Sequence, residues 1–169
     1  LILEGVQLAG QCLGYQMGFA VANVIDPQSG AQASVLSQFS YILALIVFLS
    51  VNGHYVVLKA LRESFELVPP GRLDLAPLVL SEVSRGMSQM FIIAVKIGAP
   101  ALAVLFCTQV SMGIVAKSVP QMNVLFVGMP LYIVVGLFVF GLSLSFIAPI
   151  LGQALLQADR TISALLRAM

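Results

Sequence analysis

Few side chains in this 169-residue chain could carry acid–base or nucleophilic chemistry. His54 is the single histidine, and no serine, cysteine or carboxylate lies beside it at the spacing of a nucleophile and its base. Cys12 and Cys107 both lie in apolar stretches, without the spacing of a metal site or a redox pair. The sequence therefore predicts no catalytic residue, no metal and no cofactor.

Two ionisable residues lie within or next to long apolar runs, where a charge is costly without a partner. For His54 the pattern favours a polar residue at a helix end over a proton relay. Lys96 lies four residues before Pro100 in an otherwise uncharged run. We expect Lys96 to form an ion pair, with Glu82, Asp26 or a partner chain supplying the carboxylate, rather than to act in transport.

The composition is that of a membrane protein. Apolar residues make up 60% of the chain and charged residues 9%, whereas soluble domains typically have about 45–50% and about 25%. An ordinary soluble enzyme is therefore disfavoured. The net charge of +1, with no basic run, provides no electrostatic surface for phosphate backbones, so nucleic-acid binding is excluded.

The gaps between charged residues locate the helices that must position these side chains. A bilayer core about 30 Å thick takes roughly 20 apolar helical residues, and uncharged runs of that length follow Asp26, Lys96 and Lys117. Proline ends or kinks a helix because it lacks an N–H group. The predicted hydrophobic helices are 4–25, 35–58, 87–116 with a kink before Pro100, and 131–148, which ends at Pro149.

The remaining segments of this single domain, 1–169, are predicted to be polar or amphipathic. Residues 59–85 hold eight of the fifteen charges and are expected to form a polar connecting loop. Residues 150–169 have the apolar periodicity of an amphipathic helix. With four alternating spans, the positive-inside rule places this loop and tail in the cytoplasm. The chain begins without Met and without a secretory signal, so we expect an N-terminal part to be missing.

Small residues recur at helical spacing on two of the predicted helices. Helices in an apolar solvent associate through close backbone approach across small residues and through polar contacts. The first seam is formed by Gly10, Gly14, Gly18 and Ala22, and the second by Ala99, Ala103, Cys107 and Ser111. Protein rather than lipid should cover a third stripe, formed by Gln38, Tyr41, Leu45, Phe48 and Asn52. The seams join either the chain's own helices or neighbouring chains, and their number favours a larger assembly.

Residues 17–33 run from an apolar stretch through Asp26-Pro27 into a segment rich in glycine, serine and alanine. Such a segment can fold back as an apolar constriction, and apolar constrictions close pores by dewetting. A turn that ends the preceding helix is the commoner explanation for the same pattern. The residues by themselves leave both alternatives open.

Six short motifs follow one another along the chain: Ala9-Gly10 with Gly14, Gln16-Met17-Gly18, Asp26-Pro27, Asn52-Gly53-His54, Pro120-Gln121-Met122-Asn123 and Gly128-Met129-Pro130-Leu131. In order and spacing they resemble the FliR family of flagellar export proteins. The resemblance covers nearly the whole chain, and the last three motifs are specific. Family members are longer at the N-terminus. The SctT proteins of virulence type III secretion are related, and the flagellar branch is favoured.

The resemblance implies an all-helical subunit of bent hairpins that joins FliP and FliQ in a helical pore assembly, beside FlhB. This export gate would lie in the inner membrane at the flagellar basal body, raised largely out of the lipid plane. Sister subunits, with some membrane lipid, would then cover the apolar faces, and the four-span topology would not apply literally. Unfolded flagellar proteins would pass through the channel.

The resemblance also implies a pore plug within residues 17–33. The residues assigned to it are Met17, Phe19, Val21, Asn23, Val24, Ile25, Asp26 and Pro27.

No glycine-rich, lysine-containing nucleotide motif is present, so the energy for export must come from elsewhere. The alternative function is a small-solute transporter or channel subunit, although such proteins tend to show internal repeats and the sequence has none.

Overall fold

The computed structural model describes residues 1–19, 35–67, 78–119 and 123–168. Within these ranges the chain forms five α-helices and no strand, which confirms the predicted all-α class. The helices are α1 (Ile2–Gln16), α2 (Val35–Ser50), α3 (Gly53–Leu67), α4 (Leu78–Ser118) and α5 (Val124–Ala168).

The short helix α1 packs between α2 and the long helix α4, and α4 packs along α5. The pairing of α4 with α5 is antiparallel, because Ile97 shares one buried cluster with Leu151 while Leu105 shares another with Phe140. Both clusters also include residues of α1 and α2. The core therefore lies between α1, α2 and the α4–α5 hairpin.

Large apolar side chains also cover the outside of this bundle. Phe91, Val95 and Phe106 of α4 are exposed, as are Phe138 and Phe146 of α5. Exposed apolar surface of this extent marks contact with a membrane or with other proteins. The exposed apolar side chains of α4 and α5 are therefore available to pack against lipid or other proteins.

Two described helices are long and apolar enough to cross a membrane, Ser81–Ser118 and Phe126–Ala158. A third span is possible if the pair Val35–Ser50 and Gly53–Phe65 counts as one bent span. The predicted set of four spans is wrong at its first member, because α1 ends at Gln16 and its 15 residues extend only about 22 Å. The side assignment that followed from four spans has no support.

The prediction of a helix end at Pro149 is wrong, because α5 continues through both Pro130 and Pro149. In α4 the helix continues through Pro100, as the prediction of one helix over 87–116 requires, and the kink before Pro100 stays a prediction. Each proline removes one i to i−4 hydrogen bond. Apolar helices tolerate this where neighbouring helices and nearby polar groups compensate. The predicted separate helix 150–169 is, through residue 168, the C-terminal part of α5.

Two other predicted boundaries also change. The helix predicted over residues 35–58 is broken at Val51 and Asn52, where α2 and α3 meet at a bend of 69°. The loop predicted over residues 59–85 is wrong at both ends, because residues 59–67 belong to α3 and residues 78–85 to α4. Charged residues such as Lys59 and Glu63 lie one turn apart there, as an exposed helix face allows.

Candidate functional site

The end of α1 is a complete Schellman motif, in which a glycine stops the helix. Gly18 has a φ of 92°, a left-handed conformation that glycine adopts without steric cost. The Gly18 N–H donates to the Tyr15 carbonyl at 3.1 Å, and the Phe19 N–H donates to the Gly14 carbonyl at 3.1 Å. Gly18 was predicted as part of a helical seam, and this is wrong because it lies beyond the last helical turn.

Met17, the first residue of the predicted plug, is an anchor in the core. Its side chain is fully buried with Leu13 and Leu105. It lies against Gly136 of α5, where an added Cβ would approach the Met17 Cγ to 2.7 Å. Phe19 packs partly buried against the same cluster. Residues 17–19 are therefore held against the bundle.

A glutamine on α4 holds this end of α1 in place. The Gln109 amide Nε2 donates to the Gln16 carbonyl oxygen at 3.1 Å, an oxygen that has no partner in a helix ending at that residue. Sequence reasoning missed Gln109 and Gly136. Their contacts with Gln16 and Met17 span more than 90 and 110 positions of the sequence, so no local pattern indicates them.

The other predicted plug residues and Ala22 of the first seam lie outside the described residues. They are Val21, Asn23, Val24, Ile25, Asp26 and Pro27. Pro120 and Gln121 of the predicted motifs also lie outside. Their assignments stay predictions.

The first seam allows close approach within the chain itself. Gly10 and Gly14 are buried on α1. A Cβ on Gly10 would collide with the Ser40 side chain of α2 and lie 3.0 Å from the Leu36 carbonyl. Ser40 is fully buried and its hydroxyl donates to that same carbonyl at 2.7 Å, so its polar group is satisfied within its own helix. Gly10 therefore brings α1 and α2 together, and Gly14 is buried on the same helix.

The second seam has a different environment. Ala99, Ala103, Cys107 and Ser111 are all exposed on α4. Together with Val104 and Thr108, three of them line a shallow groove of about 380 Å³. We call the surface of Ala99, Ala103, Cys107 and Ser111 the α4 groove. No described helix of this chain fills it.

The third stripe is partly covered. Tyr41 and Phe48 are half-buried and line a cleft of about 540 Å³ together with residues at the start of α1. Gln38, Leu45 and Asn52 are exposed. Protein cover for these three positions stays a prediction.

The Asn52-Gly53-His54 motif forms the bend between α2 and α3. Asn52 has a φ of 59°, which asparagine tolerates better than most residues, and its carbonyl accepts the Tyr55 N–H at 3.0 Å. A Cβ on Gly53 would collide with the Phe48 ring. His54 lies in the first turn of α3 with its ring 4.5 Å from the Tyr55 ring, centroid to centroid. Within the described residues, the buried Nδ1 of His54 has no hydrogen-bond partner.

The Asn123 and Gly128 positions lie at the start of α5. The Asn123 carbonyl accepts the Phe126 N–H at 3.1 Å, which begins the helix. Gly128 is buried beside the Tyr132 ring, which a Cβ would approach to 3.3 Å. Pro130 follows inside the helix. Tight packing explains the glycine, and the structure gives these residues no chemical role.

Lys96 is exposed at a cleft between α4 and α5 that both polar and apolar side chains line. The cleft has a volume of about 190 Å³ and is lined by Lys96 and three glutamines, with isoleucines between them. The glutamines are Gln89 on α4 and Gln153 and Gln157 on α5. We call this the Lys96 cleft.

The candidate partner Glu82 is not the one that neutralises Lys96. Glu82 Oε1 accepts from Arg85 Nη1 at 2.9 Å instead. It precedes Lys96 by fourteen residues on the same helix, a rise of about 21 Å. Asp26 lies outside the described residues. Among the described carboxylates, none pairs with Lys96.

Comparison with known proteins gives a consistent family. The model of bacterial export proteins, family 1, matches residues 1–158. The flagellar biosynthetic protein FliR of Bacillus subtilis strain 168 is 43% identical over 141 residues, which are 80% of this chain and 53% of that protein. FliR of Escherichia coli K12 is 28% identical over 144 residues, 85% of this chain and 55% of that protein.

A relative whose name does not mention the flagellum is also similar. SpaR of Shigella flexneri, a surface presentation of antigens protein, is 24% identical over 130 residues, 77% of this chain and 50% of that protein. The chain thus spans about half the length of the relatives that it matches.

Proposed function

Because this chain belongs to family 1 of the bacterial export proteins, we propose that it is a core subunit of a flagellar type III protein export gate. It joins FliP-like and FliQ-like subunits beside FlhB in the bacterial inner membrane, at the flagellar basal body. Unfolded flagellar proteins cross the membrane through the channel that these subunits enclose. The subunit contributes packing surfaces and a plug, not a catalytic step.

The exposed α4 groove is the single observation that carries the assembly part of this proposal. A stripe of small side chains lets the backbone of another helix approach closely, and such close approach favours helix–helix association in an apolar solvent. The first seam illustrates such an approach within the chain, where Gly10 contacts Ser40. The α4 groove offers the same kind of surface, and none of the five described helices lies on it.

The plug part of the proposal rests on how the segment after α1 begins. Met17 is buried, and Gln109 holds the carbonyl of Gln16. A segment that is anchored at its start and is apolar through Ile25, except at Asn23, closes a narrow channel by excluding water. Opening then requires displacement of a short segment, and the helices that anchor it stay in place.

The first test is assembly. We expect the chain, expressed with the FliP-like and FliQ-like proteins of its own host, to copurify with both in mild detergent as one species. Loss of flagellar protein secretion on deletion of the gene should accompany this. A monodisperse monomer that transports a small solute by itself would contradict the proposal and favour a transporter subunit.

The virulence branch is the second candidate, because SpaR is among the similar proteins. The identity of 43% to a flagellar protein against 24% to SpaR favours the flagellar branch. Complementation separates the two branches. We expect the gene to restore motility in its own host's deletion strain, and restored secretion of virulence proteins without motility would reverse the assignment.

A further inference from the structure

The Lys96 cleft holds a positive charge whose counter-charge is not supplied by the described part of the chain. Lys96 is exposed on a helix that is capable of spanning a membrane, and its neighbours along the cleft are glutamines, isoleucines and one alanine, none of them charged. An ammonium group in such surroundings is stable only with water or an anion beside it. The cleft, at about 190 Å³, has room for a carboxylate and a few waters.

The three glutamines make the cleft suited to a carboxylate. Each carboxamide has two N–H donors, and the ammonium has three. Gln89 lies on α4 while Gln153 and Gln157 lie on α5, so donors are present on both walls. A carboxylate has four lone-pair positions and can accept from the ammonium and from both walls at once.

The position of Lys96 relative to the α4 groove indicates what carries the carboxylate. Lys96 precedes Ala99 by three residues, and the groove then continues in steps of four. Residues at these spacings share one face of a helix. A helix that packs along the groove therefore also passes beside Lys96.

We propose that the Lys96 cleft binds an aspartate or glutamate side chain of a neighbouring export-gate subunit, carried on the helix that packs in the α4 groove. This inference rests on the proposed function, because it requires an assembled gate. Lys96 and Ser111 are fifteen residues apart, about 22 Å along α4. The partner helix therefore carries its carboxylate at one end of an uncharged stretch of about this length.

Three variants test the need for the charge, each expressed with the host's FliP-like and FliQ-like proteins. We expect Lys96→Met to lower the copurified partner by about tenfold, because the partner's carboxylate is then buried without a counter-charge. Lys96→Arg keeps the charge and should keep most of the complex. Lys117→Met is the matched control, since it removes the other lysine of α4 near its exposed end, and it should assemble as the unmodified chain does.

A second measurement leaves Lys96 intact. A photoreactive amino acid placed at Ile92, on the wall of the cleft, should crosslink on illumination to one partner peptide that contains an aspartate or glutamate. Replacing that residue with lysine should restore assembly to Lys96→Glu. A crosslinked peptide without a carboxylate, or a crosslink to phospholipid only, would overturn the proposal.

The two failures are distinguishable. If the unmodified chain copurifies with neither partner, the proposed function fails. If it copurifies and Lys96→Met does so equally well, the export-gate assignment stands and the carboxylate site is refuted.

Discussion

Gly136 is the residue that lets Met17 enter the core. Its missing side chain leaves the space that the Met17 thioether occupies, so the end of α1 can lie against α5. Together with Gln109, which holds the Gln16 carbonyl, it fixes the start of the proposed plug. Neither contact could be predicted from the sequence, because a glycine in an apolar helix has the same local pattern whether or not a distant side chain fills the space.

Gly136→Ala should therefore destabilise the chain. The new methyl group forces Met17 out of its position, and overpacking of this kind costs about 1–3 kcal/mol. In a chain of this length that lowers the midpoint of thermal unfolding by about 2–4 °C per kcal/mol, measured by circular dichroism in detergent.

Gly141→Ala is the matched control, on the same helix. An added Cβ there meets nothing within 4 Å. Alanine has the higher helix propensity by up to about 1 kcal/mol, so this variant should be as stable as the unmodified chain or slightly more stable. Equal destabilisation by both substitutions would show that the Met17 contact has no energetic role.

The bend between α2 and α3 shows which parts of the elements were predictable. Apolar composition indicated helices throughout, and the all-α class was correct. The Asn-Gly pair at 52–53 was recognised as a family motif, but the apolar run around it predicted one continuous helix over residues 35–58. The family prediction was also confirmed. Motifs therefore identified the family, while exact helix ends depended on left-handed residues at Gly18 and Asn52.

Gly53→Ala should weaken this bend. The Cβ collides with the Phe48 ring, which lies across the bend on α2, so either the ring or the angle must change. We expect a loss of about 1–3 kcal/mol, measured by the same thermal unfolding.

Asn52→Gly and Asn52→Val test the left-handed backbone of Asn52 at the same bend, independently of the contact between Gly53 and the Phe48 ring. Glycine accepts the φ of 59° freely and should leave stability within about 1 kcal/mol, whereas valine should cost about 1–2 kcal/mol or more. If valine is tolerated as well as glycine, the left-handed residue does not determine the bend.

At the scale of the whole molecule, the two seams have different surroundings. Gly10 lies between α1 and α2, whereas none of the helices in the described ranges covers the α4 groove. Spacing predicted both seams equally well, but spacing does not tell an internal contact from an external one.

Ala103→Leu should fill the groove and reduce copurification with FliP-like and FliQ-like partners. Ala103→Ser keeps the side chain small and should copurify with the partners as the unmodified chain does. If both variants unfold within a few degrees of the unmodified chain, the monomer itself is intact.

The plug has a consequence that only the assembled gate can show. Deleting residues 19–25 removes the apolar segment that follows the Met17 anchor, while the Gly136 and Gln109 contacts stay. If these residues exclude water from the channel at rest, their loss leaves a hydrated path, and cells with the assembled variant gate should leak small ions. Ion conductance across the inner membrane, compared with that of cells carrying Gly141→Ala, measures the leak. A membrane as tight as the control, with the variant gate present at normal levels, would refute the plug assignment and leave the assembly role unaffected.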